Sequence, residues 1–521
     1  MWPGWFGRIP AARRGGWTMR ASHIIFIVRD DSSKADVVMQ TSDPTWQAYN
    51  TYGLGSTYNG LTATGASGGR VARANKVSFN RPFRNRTSGS VNQFFNAEYA
   101  LARWLERNGY DVTYFAGVDA DRRGDRLRNH KLFISIGHDE YWSAGQRKNV
   151  EAARDAGVNL AFMSGNEVFW KTRYEPSIDS TKTPYRTLVV YKETHSYDTP
   201  TNELQPGRKI DPMKDVWTGT WRDASPFNPE GAQPENALTG TIFTVNANRM
   251  DPLVVPAKYG KLRFWRNTEV ARLAPGETAV LGNGILGHEW DEDLDNGFRP
   301  AGIIHLSETT MDGVAYPVDW GTVYDAGTAT HHLTLYRAKS GALVFGGGCV
   351  QYSWGLDDFH DNQTAVGGAR ANPYSHRVTH DPYGQVKAMQ QATVNVFADM
   401  GIQPKNLQTD LVPATQSQDK AGPISKIVSP QPNANLATGT ITISGTATDA
   451  GGGLVAAVEV STDGGSTWHA ATGTDQWTYA ATIPAGAASS SIMTRATDDS
   501  VNTEVPGRPV VIQHGRTTPA R

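Results

Sequence analysis

Two short apolar runs, 131–136 (KLFISI) and 159–163 (NLAFM), flank a stretch of helical pattern from Ser143 to Ala156. Strand, helix and strand in that order require a crossover, and strands apolar on both faces require cover on both sides. The chain is therefore read as an α/β protein built on a parallel sheet. Ser143 with Gln146 three residues on is a capping-box signature, and Gly157 supplies the stop. In sheets of this kind ligands gather outside the carboxyl ends of the strands. Two polar clusters fall on such ends: His138-Asp139-Glu140 after the first run and Ser164-Gly165-Asn166-Glu167 after the second.

Other elements follow from the same period arguments. Strands are expected at 23–28 (HIIFIV), 36–40, 111–115 and 342–345. Helices are expected from Asn92 to Asn108, closed by Gly109, and from Tyr383 to Met400, the latter amphipathic. Ser42 to Gly69 has no periodicity but holds Trp46, Tyr49, Tyr52 and Tyr58. From about 200 to 330 the helical period gives way to short β-like runs, among them 240–245 and 262–265, which reads as a β-rich insertion. Residues 1–21 read as a poorly ordered N-terminus without the apolar core of a signal peptide, and 406–425 as a linker. The tail, 426–515, is rich in Thr, Ala, Val and Gly and fits a small β-sandwich with turns such as Asp463-Gly464-Gly465.

Composition excludes several classes. A net charge of −1 without a long basic run leaves no electrostatic footprint for nucleic acid. No apolar run approaches the roughly 18 residues of a membrane span. The single cysteine, Cys349, rules out an intrachain disulfide framework, and its neighbours do not mark it as an activated nucleophile. No phosphate-binding loop or nucleophile elbow is present.

The chemistry-bearing residues leave alternatives open. In extended backbone His138 and Glu140 point to the same side and can enter one pocket, where a carboxylate binds a hard metal and an imidazole binds metal or moves protons. They equally well close a turn, with Asp139 or Ser143 capping the helix. Tyr49 and Tyr58 can act as phenolate ligands for ferric iron, or can pack and line a sugar-like ligand. In the acidic run 287–293, Glu289 is the better cleft candidate and Glu292 and Asp293 are expected in solvent. His331-His332 is read as a core pair with at most one ring inward, and Trp354–His360 as a candidate cleft wall.

With these motifs in place the chain resembles the catalytic C-terminal region of the N,N-dimethylformamidase large-subunit family. The shared stretches are TWQAYNTYG (45–53), STYNG (56–60), NRPF (80–83), FFNAEY (94–99), GHDEYWS (137–143) and NLAFMSGNEVFW (159–170). Further on come GHEWDEDLDNGFRP, ATHHLTLYR and QATVNVFADMG. The likeness spans roughly 22–405. It implies a class I glutamine amidotransferase-like (flavodoxin-like) core and hydrolysis of non-peptide carbon–nitrogen bonds in small linear amides. It also implies a mononuclear non-haem ferric ion on two tyrosines and one glutamate. By motif these are Tyr49, Tyr58 and Glu140, with Tyr52 as an alternative, while His138, Asn166 and Glu289 match positions that orient water and substrate. The family's small partner subunit and lectin-like portion are not visible in this sequence. The tail instead resembles immunoglobulin-like modules, through TDGGSTWHAAT and TRATDDSVN, which implies a surface, glycan or self-association contact and an extracellular setting. Two competing readings are a non-catalytic surface or carbohydrate-binding protein, and a glycan hydrolase using Glu140 and Glu289 as its acid/base pair.

Overall fold

The computed structural model describes residues 25–53, 55–58, 73–83, 93–195, 209–225, 227–246, 249, 251–318, 323–361, 379–380, 384–483 and 487–514. The expected N-terminal segment 1–21 lies outside them, as do His23, Ile24 and Tyr383.

A seven-stranded mixed sheet forms the centre. Its strands are β1 (Val37–Thr41), β2 (Val112–Ala116), β3 (Leu132–Gly137), β4 (Asn159–Ser164), β5 (Ile304–His305), β6 (Thr334–Arg337) and β7 (Leu343–Gly346). They lie in the order β5-β6-β7-β4-β3-β1-β2. β2, β1, β3, β4 and β7 run parallel, while β6 and β5 are added antiparallel at one edge. In chain order the parallel strands read 2-1-3-4-5, so the direction of winding reverses between β1 and β3. A doubly wound sheet opens a crevice at that point.

Alternate side chains supply two cores. Val37, Met39, Ile134 and Ile136 pack on one face with Leu101 and Trp104 of helix α2 (Tyr99–Arg107) and Val396 and Phe397 of α4 (Lys387–Asp399). Val38, Phe133, Leu160 and Phe162 pack on the other with Val150 and Ala153 of α3 (Ala144–Asp155). Half of the expected capping box forms: Ser143 Oγ accepts from the Gln146 amide at 3.0 Å, while the Gln146 side chain makes no return bond.

Several expectations change. The 25–28 part of the first apolar run is irregular, with Phe26 and Val28 exposed. The aperiodic stretch after β1 begins with a helix, α1 (Asp43–Tyr49), buried on nearly every side. α4 is not amphipathic: Ala388 to Ala398 are all buried, so no polar face remains to set a period. Arg263–Trp265 is a 3-10 turn, its indole N–H bonded to the Leu306 carbonyl at 2.7 Å. The β-rich stretch also contributes β5 to the main sheet, and its strand Glu289–Glu292 folds back across the strand ends, the Asp291 amide bonding to the Gly348 carbonyl at 2.9 Å.

The tail forms a four-stranded and a five-stranded sheet around Ile443, Val458, Trp477 and Ile492. It is docked on the α/β part. The buried Glu459 accepts from the Gly302 amide at 2.9 Å and pairs with Arg299 at 3.3 Å, and Arg337 donates to the Ser500 carbonyl at 2.7 Å. Segment 406–425 is likewise held down, the Asn406 amide bonding to the Asn108 carbonyl at 3.0 Å and Leu411 buried in the main core. Among the described residues no helix is long and apolar enough to cross a membrane.

Candidate functional site

The carboxyl ends of β1, β3 and β4 and the returning Glu289 strand bring together one buried polar cluster. α1 leaves β1 through Ser42, and Pro44 pre-sets its first turn. Buried Glu98 fixes that turn, accepting from the Ser42 hydroxyl, from the Ser42 amide at 3.3 Å and from Trp46 Nε1 at 2.6 Å. Tyr49, the last residue of α1, is thereby aimed at the end of β3. Burial, working against those three donors, pushes the Glu98 carboxyl up to about 8. Its ordinary value is 4.5, so the folded protein keeps a proton that the unfolded chain has lost. Stability from this group is therefore full below about pH 4.5 and is lost as pH rises toward 8. Glu98→Gln should remove that slope. The wild type should lose up to about 1.4 kcal/mol per pH unit relative to the variant across this window, read from denaturant midpoints; parallel pH profiles would refute the assignment.

Within the cluster, Tyr58 donates to Glu140 Oε1 at 2.6 Å. The Tyr49 and Tyr58 rings stack with centroids 4.3 Å apart, and Tyr141 meets both edge-on at 6.4 Å. Tyr58 is 38% exposed at the mouth, but its hydroxyl turns inward. Burial first, and the Glu140 charge second, push both phenols well above their usual range, so both stay protonated without a cation beside them. On the other side, His138 Nε2 lies 2.7 Å from Glu289 Oε2 and 3.5 Å from Glu140 Oε2. Asn166 Nδ2 donates to Glu289 Oε2 at 2.9 Å. Burial works to raise Glu289 and to lower His138, but their mutual attraction outweighs it. Glu289 falls to about 2 and His138 rises. They form an ion pair.

Tyr49, Tyr58, His138, Glu140, Asn166 and Glu289 thus come together from four separate stretches of chain. Tyr52 does not join them. It is 47% exposed and its carbonyl accepts from Arg81 at 3.1 Å. The structure also groups His138, His288 and Glu289 closely enough to hold a metal ion, with one ligating atom from each within 4.8 Å of the others.

Several residues escaped the sequence reading. Lys192 is buried, with Nζ 3.2 Å from the Tyr58 ring centre and 4.6 Å from that of Trp170. Burial drives its pKa well below the usual value, with Glu140 opposing. No local pattern marks it. Glu292 and Asp293 were expected in solvent, but Glu292 is buried and accepts from the Thr330 amide, while the Asp293 side chain is 2% exposed and pairs with Arg299 and His305 at 2.7 Å each. His331 is the inward ring of its pair, bonded to the Gly347 carbonyl at 2.8 Å. The 354–360 stretch packs against α2, Trp354 stacking on His360 at 4.3 Å and Asp357 pairing with Arg103 at 3.1 Å.

Asp291 anchors the loop that carries Asn166. Its Oδ1 accepts from the Asn166 amide at 2.9 Å, while Glu167, kept protonated by burial and by Asp291 beside it, shares its other side. Asn166 and Val168 sit at φ 47° and 56°, a left-handed conformation that is costly for a β-branched residue and persists only when neighbours impose it. Asp291→Ala should release this loop. Turnover should fall by about 10- to 100-fold with the melting transition still cooperative, and unchanged kinetics would show that the clamp is dispensable.

The architecture is that of a mixed α/β protein whose strand ends hold a buried phenol, carboxylate and imidazole cluster. The family described as N,N-dimethylformamidase beta subunit-like, C-terminal, matches residues 11–365, and a bacterial Ig domain matches 423–494. The chain belongs to the N,N-dimethylformamidase beta subunit-like C-terminal family. No curated protein matches it. Among solved structures it is similar to an engineered protein at 18% identity, over 28% of this chain and 34% of that one, with a TM-score of 0.15. That likeness carries no argument about fold or function, and the chain spans about a third of the length of that structure.

Proposed function

We propose that this protein is an iron-dependent hydrolase of non-peptide amide bonds, acting on small linear amides. The observation that carries the reading is the face-to-face arrangement of two donor sets. Tyr58 and Glu140, 2.6 Å apart with Tyr49 stacked alongside, stand opposite the His138–Glu289 pair and Asn166. Family membership supports the reaction class. The 2-1-3-4-5 order of the parallel strands supports kinship with the class I glutamine amidotransferase-like folds.

The residues fit a hard trivalent cation. Two phenol oxygens and a carboxylate are hard donors, and as anions they balance a 3+ charge. Among the described residues Glu140 Oε2 accepts no hydrogen bond, which leaves a buried lone pair available, and a cation would reverse the burial effect that keeps both phenols protonated. Tyr49, Tyr58 and Glu140 would hold the ion. Iron at this position supplies Lewis acidity toward an amide carbonyl and toward water.

The remaining chemistry belongs to the protein. Glu289, ionised and buried, is the group that accepts a proton from attacking water; the His138 imidazolium, its Nε2 2.7 Å away, gives its own proton to the departing amine and is reprotonated from Glu289. Asn166 orients Glu289 through its Nδ2 hydrogen bond. Tyr141, held at its hydroxyl by Thr57 at 3.1 Å, and Trp170 form an apolar wall that limits water around the reacting groups. The test is amine release from a panel of short N-alkyl amides by the iron-replete protein. Turnover on at least one is expected; an iron-replete chain inert across the panel would favour a binding role.

A further inference from the structure

The buried cluster holds a second donor set of different character. One nitrogen each of His138 and His288 and one oxygen of Glu289 lie within 4.8 Å of one another. Glu289 Oε2 is 2.7 Å from His138 Nε2 and 3.9 Å from His288 Nε2, and the two imidazoles meet edge-to-face with centres 5.2 Å apart. A tetrahedral ion with bonds of about 2.0–2.2 Å spaces its ligand atoms by about 3.3–3.5 Å, so the observed separations bracket that value. Two imidazoles and a carboxylate form the donor set of His₂Glu zinc centres, with a fourth position left for water. The tyrosine set opposite is all-oxygen and harder, so the two sets prefer different metals. His288 is held at its backbone by Gln351, its amide donating to Oε1 at 3.2 Å, and Gly287 before it is at φ 83°, which fixes the approach of the ring.

We propose that His138, His288 and Glu289 form a second, inhibitory site for a divalent transition metal such as zinc, separate from Tyr49, Tyr58 and Glu140. Occupation removes Glu289 and His138 from proton transfer, because the Glu289 lone pair that would accept the proton then binds the cation, and His138 must give up its Nε2 proton to bind it too. Zinc inhibition rests on the hydrolase reading above; zinc binding does not.

The experiment titrates zinc into the purified enzyme carrying its resident metal and reads bound metals after gel filtration, alongside amide turnover. Wild type should take up one further equivalent of zinc with the resident metal retained, and lose turnover in step. His288→Ala should keep basal turnover and need about tenfold or more zinc for the same loss; His288→Gln, which keeps the bulk, is the second variant. Cobalt(II) added in place of zinc should give visible d–d bands in wild type and not in the variants. The proposal is overturned if zinc displaces the resident metal one for one, if no extra zinc binds, or if the His288 variants are inhibited like wild type. An enzyme without amide turnover that still binds zinc and cobalt through His288 would sink the hydrolase reading and leave the site standing.

Discussion

Glu140→Gln is expected to empty the tyrosine–glutamate metal site and to lower amide turnover by about 10³-fold or more. The substitution preserves shape, so the helix and strand around it should be undisturbed. What it removes is charge. Glu140 is buried to 2% exposure, its backbone amide is held by Thr45 Oγ1 at 3.0 Å, and it lies between the Tyr58 hydroxyl and His138. With an amide there, one of three anionic donors is lost in a site of low polarity, where an unbalanced charge is costly. Metal content, turnover and the circular dichroism of the purified variant read the effect together. Retained iron and retained turnover would show that Glu140 is no ligand. A misfolded variant would show that its role is structural.

The second large effect is expected at Glu289. Glu289→Gln should lower kcat by about 10²- to 10⁴-fold with KM little changed and the metal still bound. The distinction from Glu140 is geometric: Glu289 contacts His138 and Asn166 rather than the tyrosines. With Glu289 and His138 proposed as one proton-transferring unit, the double variant with His138→Ala should be hardly slower than the worse single variant. Additive losses would separate the two residues into independent roles. Metal lost on Glu289→Gln would move that carboxylate into the ligand set.

The legible part of this protein was what obeys a local period. β3, β4 and α3 are read from alternation, length and a capping serine, and their carboxyl ends hold His138, Glu140 and Asn166. The returning strand was legible in one residue only, Glu289. Its neighbours looked like a solvated acidic run because their partners, Thr330, Arg299 and His305, are distant or unmarked in the sequence. α1 was missed because a helix buried on almost every side shows no amphipathic stripe, and only the Ser42-Asp43-Pro44 start betrays it. Lys192 was invisible for a different reason. A lysine is ordinarily a surface residue, and its burial over Tyr58 depends on chain segments far apart in sequence. Residue chemistry left Tyr49 and Tyr58 open between metal ligation and packing, and the family resemblance implied the ligand role. The structure places Tyr49 and Tyr58 beside Glu140 and leaves Tyr52 at the surface.

The central claim is that two phenols and one carboxylate of this chain hold iron. It is tested most directly by the visible absorption of the purified protein, recorded with its iron content. Stoichiometric iron is expected, with a phenolate-to-iron charge-transfer band that weakens in Tyr49→Phe, weakens in Tyr58→Phe and disappears in the double variant. Iron without such a band, or a band unchanged in both tyrosine variants, would contradict it.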